Sequence, residues 1–289
     1  MITEKANSKI NLFLNVTERR TDGYHNIESI MHSVDLHDVV SVEANKSDRA
    51  KITVKTNAGE LRDEKSNLVY IAAEKYIAKY LITDEIIISH EKNIPIGAGL
   101  GGGSSDAAAT LRALNRIYGK CGGEELLRLA SDIGSDVPFC LMGGTAICHG
   151  RGEIIEPLSV KEKRYFALAI GEERVSTPRA FAELDNRYIS YPKKSDVCRE
   201  MALALENGDT VSDFVYNIFE EITEIASIKE IKEIMKKSGA ECTLMSGSGP
   251  AVFGMFKTEE EALAAVKKLL ACGFVSSYAE SATVSDITV

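Results

Sequence analysis

Five glycines fall within seven positions, Gly97, Gly99, Gly101, Gly102 and Gly103, and Ser104-Ser105-Asp106 and an alanine-rich run follow at once. Glycine gives up more backbone freedom on folding than any other residue, so such a cluster belongs where main chain approaches something closely or takes positive φ. An apolar, β-branched run at 85–89 precedes the cluster, and an Ala/Leu-rich segment continues to Tyr118. That order is strand, glycine loop, helix. The first N–H groups of a helix lack intrahelical acceptors, and the helix dipole makes them favour an anion. The chemistry expected here is phosphate binding. The competing account is a tight strand-to-helix turn, for which one or two glycines suffice.

The loop from Pro95 matches no common phosphate motif in full. Gly97-Ala98-Gly99-Leu100-Gly101-Gly102 has the G-x-G-x-x-G spacing. A dinucleotide fold also needs a second strand ending in an acidic residue about twenty positions on. Here that region reads as helix, a break at 119–123 and more helix. No lysine follows the glycines as a Walker loop requires, and neither H-R-D nor D-F-G occurs.

Other polar residues stand where chemistry is possible, each beside a plainer reading. Lys9 and Asn11 sit two apart in an alternating run at 8–16 and therefore share a strand face, ordinarily a solvated one. Tyr24 and His25 follow an Asp22-Gly23 corner. Asp136 precedes an apolar run at 139–142, a place where aspartate more often forms a turn or caps a helix than catalyses. Gly247-Ser248-Gly249 is either a hairpin corner or a lid near a ligand.

The elements that must position these residues follow from periodicity and caps. Strands are expected at 8–16, 28–35, 38–44, 51–55, 85–89, 145–149, 165–170, 241–245, 251–256 and 275–283. Helices are expected at 66–80, capped by Ser66 or Asn67, then at 124–133, 195–206, 211–226 and 228–238. Ser176-Thr177-Pro178 caps a helix carrying Phe181, and Thr258 caps one reaching 271. The charged, aperiodic stretch at 156–163 marks a boundary, giving units 1–158 and 159–289.

With 289 residues, 44% hydrophobic and 27% charged, the chain suits one large or two ordinary globular units. A net charge of −9 argues against a broad nucleic-acid or anionic-membrane surface, so a polyanionic ligand must be drawn by local amides and a few lysines. The N-terminus has no apolar signal region and no run approaches membrane-spanning length, so a cytoplasmic setting is expected. Six cysteines without a C-x-x-C pair are expected to be reduced, and five histidines show no metal-ligand spacing.

Three separated blocks, Ser8-Lys9-Ile10-Asn11-Leu12, the stretch 95–109 and Gly247-Ser248-Gly249-Pro250-Ala251, together resemble the three motifs of the GHMP small-molecule kinases. Further features resemble the branch acting on a CDP-linked methylerythritol. They are Asp22-Gly23-Tyr24-His25, Val34-Asp35-Leu36-x-Asp38, Ser135-Asp136-Val137-Pro138-Phe139 and Asn217-x-x-Glu220. Ser8 stands where the family usually has Ala, and Asp106 where Asn or Ala is common. Asp106 is expected to cap or face away from the phosphates.

The resemblance implies an α+β, two-domain GHMP kinase fold, with an N-terminal domain like ribosomal protein S5 domain 2 and a C-terminal ferredoxin-like α/β sandwich. It implies phosphorylation of the erythritol 2-hydroxyl by ATP in non-mevalonate isoprenoid precursor synthesis. Mg²⁺ would accompany ATP on phosphate oxygens and water, without a dedicated protein metal site. By the same resemblance Asp136 is the catalytic aspartate and Lys9 its partner. Asn11, Tyr24, His25, Thr177 and Phe181 hold the substrate, with cytosine stacked on aromatic faces and its edge bonded by His25. Pro95, Gly97, Gly99, Leu100, Gly101, Gly102, Gly103, Ser104 and Ser105 wrap the ATP phosphates, and Asn67 and Lys92 meet adenosine. The competing functions are another GHMP kinase, of homoserine or mevalonate type, and a non-catalytic nucleotide sensor. A sensor needs the cradle but neither Lys9 nor Asp136.

Overall fold

A computed structural model describes residues 1–59 and 64–282. In chain order the first part runs β1 (Ile2–Arg19), β2 (His25–Asn45), β3 (Lys51–Thr56), α1 (Leu68–Lys79) and β4 (Glu85–Glu91). It continues with α2 (Gly102–Tyr118), α3 (Gly123–Ser131), α4 (Val137–Met142), β5 (Thr145–His149) and β6 (Ile154–Leu158). The second part comprises β7 (Tyr165–Ile170), α5 (Thr177–Arg187), α6 (Ser195–Asn207), β8 (Tyr216–Asn217) and α7 (Ala226–Lys237). It closes with β9 (Cys242–Met245), β10 (Val252–Phe256), α8 (Glu259–Ala271) and β11 (Val275–Glu280).

Two sheets result, one curled and mixed, the other antiparallel. The larger has the path β3-β4-β2-β1-β8, with β5 on β2 and β6 on β5; the smaller has the order β11-β7-β10-β9. The long β1–β2 hairpin is the spine of the first sheet; α2 packs on it, and α1 packs on α2 and β3. In the second sheet α7 and α8 cover β7, β9, β10 and β11. Among the described residues no helix is long and apolar enough to cross a membrane.

Several elements depart from the sequence reading. The strands expected at 28–35 and 38–44 are one continuous β2, because the β1 register shifts between Asn7↔His37 and Ser8↔Val34 and absorbs the irregularity as a bulge. The helix expected at 211–226 does not form. Tyr216 and Asn217 instead pair in parallel with Phe13 and Leu14 of β1, and a 3₁₀ turn follows at Ile218–Glu221. The strand expected to end at 283 is β11, ending at Glu280, and position 283 lies outside the described residues.

The run 8–16, expected to be half-buried, is buried on both faces: Ile10 and Leu12 are sealed, but so are Lys9 and Asn11, at 4% and 1% exposure. Its alternation also breaks. Leu12 is an unpaired bulge residue between Asn11↔Met31 and Phe13↔Ile30. Ile10, Leu12 and Phe13 join the core cluster containing Phe166 and Phe253, whereas Leu14 and Val16 join the one containing Leu111 and Val137. One strand thus feeds two cores, and burial of two polar side chains between them requires partners.

Candidate active site

Those partners define the site. The Lys9 ammonium donates to Asn11 Oδ1 at 2.8 Å and lies 3.3 Å from Asp136 Oδ2. Asn11 Nδ2 donates to the Ser29 hydroxyl, which donates to the Phe13 carbonyl, so the Asn11 amide is held with its oxygen toward Lys9. Asp136 occupies the N-cap position of α4 yet makes no side-chain capping bond, which leaves its carboxylate turned to Lys9. Its side chain keeps 28% exposure, against 6% for Lys9. The lysine is therefore buried and fixed, and the carboxylate faces an opening.

The glycine loop is tied to the same strand by the Lys9 N–H, which donates to the Leu100 carbonyl at 2.9 Å. Gly101 stands at the N-cap of α2 with φ +70, and a Cβ there would come within 2.7 Å of Lys9 Cγ. The Ser105 N–H bonds the Gly101 carbonyl at 2.9 Å, so the preceding three amides have no intrahelical acceptor. They open on a cavity of about 330 Å³ lined by Asn67, Lys92, Pro95, Gly97, Gly99, Leu100, Gly101, Gly102, Gly103 and Ser104. Asn67 caps α1 through Oδ1, while its buried Nδ2 has no partner among the described residues and is a donor at the cavity wall.

Two expected nucleotide contacts differ. Ser105 is buried at 1% exposure and its hydroxyl donates to the Gly101 and Gly102 carbonyls, so neither its amide nor its hydroxyl is offered to a ligand. Ser104 takes that place on the wall. Lys92 lines the cavity, but its ammonium is held between Asp38 and Asp106, the latter at 2.7 Å. Asp106, expected to cap or face away, lines the same cavity, with its carboxylate on Lys92 and His90 Nε2 2.9 Å from it. Asp38 also accepts from the Ile94 N–H at 2.7 Å and so anchors the entry to the loop. Burial first, and then the neighbouring Asp106 charge, push the Asp38 carboxyl up to about 6.

A larger cleft of about 650 Å³ lies on the other side of the loop, and Lys9, Asn11, Tyr24, His25, Asp136, Thr177 and Phe181 all line it. Gly99, Gly101 and Ser104 line both cavities. The far lip is the turn at 246–250. Ser246 donates to the Gly99 carbonyl at 2.9 Å, the Ala251 N–H to the Ala98 carbonyl at 3.0 Å and the Gly247 N–H to Asn11 Oδ1 at 2.9 Å. Asn217 Nδ2 donates to the Met245 and Gly247 carbonyls, which explains why this segment must reach the first sheet instead of continuing as a helix. The turn, open between corner and lid from sequence, packs directly on the glycine loop.

The aromatic end of the cleft is built differently from a simple slot. His25 stacks on Phe181 with centroids 4.6 Å apart and planes 18° apart, so it covers one face of Phe181 itself. Tyr24 is 54% exposed and carries the Arg151 guanidinium 5.1 Å from its ring centre. Thr177 Oγ1 and Ser248 Oγ lie 2.8 Å apart and join α5 to the 246–250 turn. Sequence reasoning missed Asp185, Arg19 and Arg151, which also line the cleft. Asp185 was signalled by its place one helical turn after Phe181; its partner His25 is 160 residues away in sequence.

Comparison with known proteins gives the family. The model of the GHMP kinases N terminal domain matches residues 67–144, and that of the GHMP kinases C terminal region matches 202–274. A 4-diphosphocytidyl-2-C-methyl-D-erythritol kinase of Caldicellulosiruptor saccharolyticus is 40% identical over 92% of this chain and 91% of its own length. A crystal structure of 4-(cytidine 5'-diphospho)-2C-methyl-D-erythritol kinase superposes with TM-score 0.81 at 30% identity, covering 98% of this chain and 100% of that one. The homoserine kinase of Cytophaga hutchinsonii, at 22% identity, TM-score 0.72 and 95% coverage of both chains, shares the fold. The chain belongs to the GHMP kinases, in the family of the 4-diphosphocytidyl-2-C-methyl-D-erythritol kinases.

Proposed function

We propose that this small-molecule kinase transfers the γ-phosphoryl group of ATP to the 2-hydroxyl of 4-diphosphocytidyl-2-C-methyl-D-erythritol, in the cytoplasm, on the way to isoprenoid precursors. The observation that carries the reading is the shared wall: Gly99, Gly101 and Ser104 face both cavities, with Lys9 and Asp136 on the acceptor side. A triphosphate on the amides of 102–104 would put its terminal phosphate at that wall. A division into 1–158 and 159–289, with the acceptor cleft between them, is part of the same reading.

Phosphoryl transfer needs mostly in-line positioning and neutralisation of oxygen charge. Asp136, paired with Lys9 at 3.3 Å, takes or directs the proton of the acceptor hydroxyl. The Lys9 ammonium, fixed by Asn11, screens charge as the phosphoryl group moves. Mg²⁺ bound with ATP would supply further neutralisation of the phosphate charge. Asp38, His90 and Asp106 have ligand-like spacing, but the Lys92 ammonium lies between the two carboxylates, so that cluster does not fit a divalent ion.

A coupled assay of ADP release tests the reading with the CDP-linked methylerythritol, homoserine and mevalonate in parallel. Turnover of the first alone is expected. Turnover of homoserine or mevalonate instead would move the chain to another GHMP activity, and no turnover with any would favour a sensor.

A further inference from the structure

Asp185 is held on α5 one turn beyond Phe181 and accepts two hydrogen bonds on one oxygen. His25 Nε2 lies 2.8 Å from Oδ1, and the Tyr191 hydroxyl donates to the same atom. Arg19 Nε lies 3.4 Å from Oδ2. The imidazole cannot turn, because Phe181 stacks on its face and Tyr191 meets it edge-on at 6.2 Å. Burial works to raise the Asp185 carboxyl, but the bonds from Tyr191 and His25 outweigh it and hold the group below the usual aspartate range.

An ionised carboxylate can only accept, so the ring nitrogen bonded to it must carry the proton. In the neutral imidazole that makes Nε2 the donor and Nδ1 an acceptor. Nδ1 has no hydrogen bond among the described residues, and the ring lines the cleft. We infer that Asp185 is a positioning residue that fixes the Nε2–H form of His25, and thereby makes this subsite select an amino-substituted pyrimidine over an oxo-substituted one. An exocyclic amine donates to Nδ1. A carbonyl oxygen in the same place sets lone pair against lone pair, and sites built around such a bond discriminate strongly. The inference deepens the proposed function and rests on it for the identity of the base.

Two measurements test it. Ring ¹⁵N spectra of histidine-labelled free protein at pH 8 are expected to show His25 as the Nε2–H tautomer, and as a mixture in Asp185→Asn, whose amide can accept or donate. In kinetics, Asp185→Asn is expected to lower kcat/KM for the CDP-linked alcohol at least about tenfold, mainly through KM, while kcat/KM for the UDP-linked analogue does not fall with it. Tyr191→Phe keeps the carboxylate and is expected to keep both the tautomer and the substrate ratio. An Nδ1–H tautomer in the wild type, or an unchanged ratio in Asp185→Asn, overturns the inference. If the wild type phosphorylates neither alcohol, the substrate reading fails, and the spectra decide the tautomer independently.

Discussion

The Ser246 hydroxyl donates to the Gly99 carbonyl at 2.9 Å, joining two turns that are 147 residues apart. With the Ala251 N–H on Ala98 and the Gly247 N–H on Asn11, it makes the glycine loop a clamped part of the acceptor cleft. On the proposed function, donor and acceptor sites are therefore registered by three hydrogen bonds, each with a main-chain atom on at least one side. Small errors in that register are costly when a phosphoryl group must travel in line.

Gly99→Ala tests the clamp. The residue has φ +83, and a Cβ would meet the Ser246 carbonyl oxygen at 2.3 Å, a backbone atom that cannot turn aside. Gly97 has φ +70 but nothing within 4 Å of its Cβ position. Both substitutions carry left-handed strain of about 1–2 kcal/mol. Gly99→Ala alone must also push the two turns apart. Urea unfolding is expected to show Gly99→Ala less stable than Gly97→Ala, with the larger loss of ATP affinity. Equal effects would mean that the two turns separate freely.

Asp136→Asn tests the proton acceptor. The amide is isosteric and leaves Lys9 its bond to Asn11. Binding of ATP and alcohol is expected to change only a few-fold, whereas turnover falls about 10²-fold or more. Pre-steady-state mixing reads the chemical step directly. Turnover within tenfold of wild type would place the proton transfer elsewhere, or after the phosphoryl step.

The parts of this arrangement that were readable in the chain are those written in local chemistry. The glycine cluster, the Thr258 cap, a cap at Ser66 or Asn67 (the structure uses Asn67) and the two-residue spacing of Lys9 and Asn11 depend only on neighbours in sequence. What escaped depends on distant partners. Val211, Val215, Ile218 and Ile222 have helical spacing, yet the chain extends at Tyr216–Asn217 because β1 and the 246–250 turn offer hydrogen bonds that a helix would forgo. Periodicity cannot register that competition. Burial of Lys9 and Asn11 was equally hidden, since it is permitted by Asp136 and Gly247. Lys92 was assigned to adenosine by the resemblance alone, and nothing near it in sequence shows that Asp38 pairs with its ammonium.

His32 gives a pH signature of the joint between the sheets. It is buried at 3% exposure on β2, with Nδ1 2.7 Å from the Thr145 hydroxyl of β5 and Nε2 2.9 Å from the Ser281 hydroxyl beyond β11. One ring nitrogen donates and the other accepts, so the neutral ring is satisfied and has no use for a second proton. Burial, helped by the Arg164 charge, lowers its pKa from 6.5 to about 3. Between those values the unfolded chain binds a proton at this residue and the native chain does not. Stability from His32 is therefore complete above the unfolded pKa and declines as pH falls below it. From pH 7 to pH 5 this one group should remove about 2 kcal/mol. His32→Gln loses hydrogen bonds and starts less stable at pH 7, but its stability should fall by about that much less over the same interval. Urea unfolding at both pH values measures the difference in slope, which is insensitive to the lower starting point. Parallel slopes in the two proteins would show that the native ring takes up its proton as readily as the unfolded one.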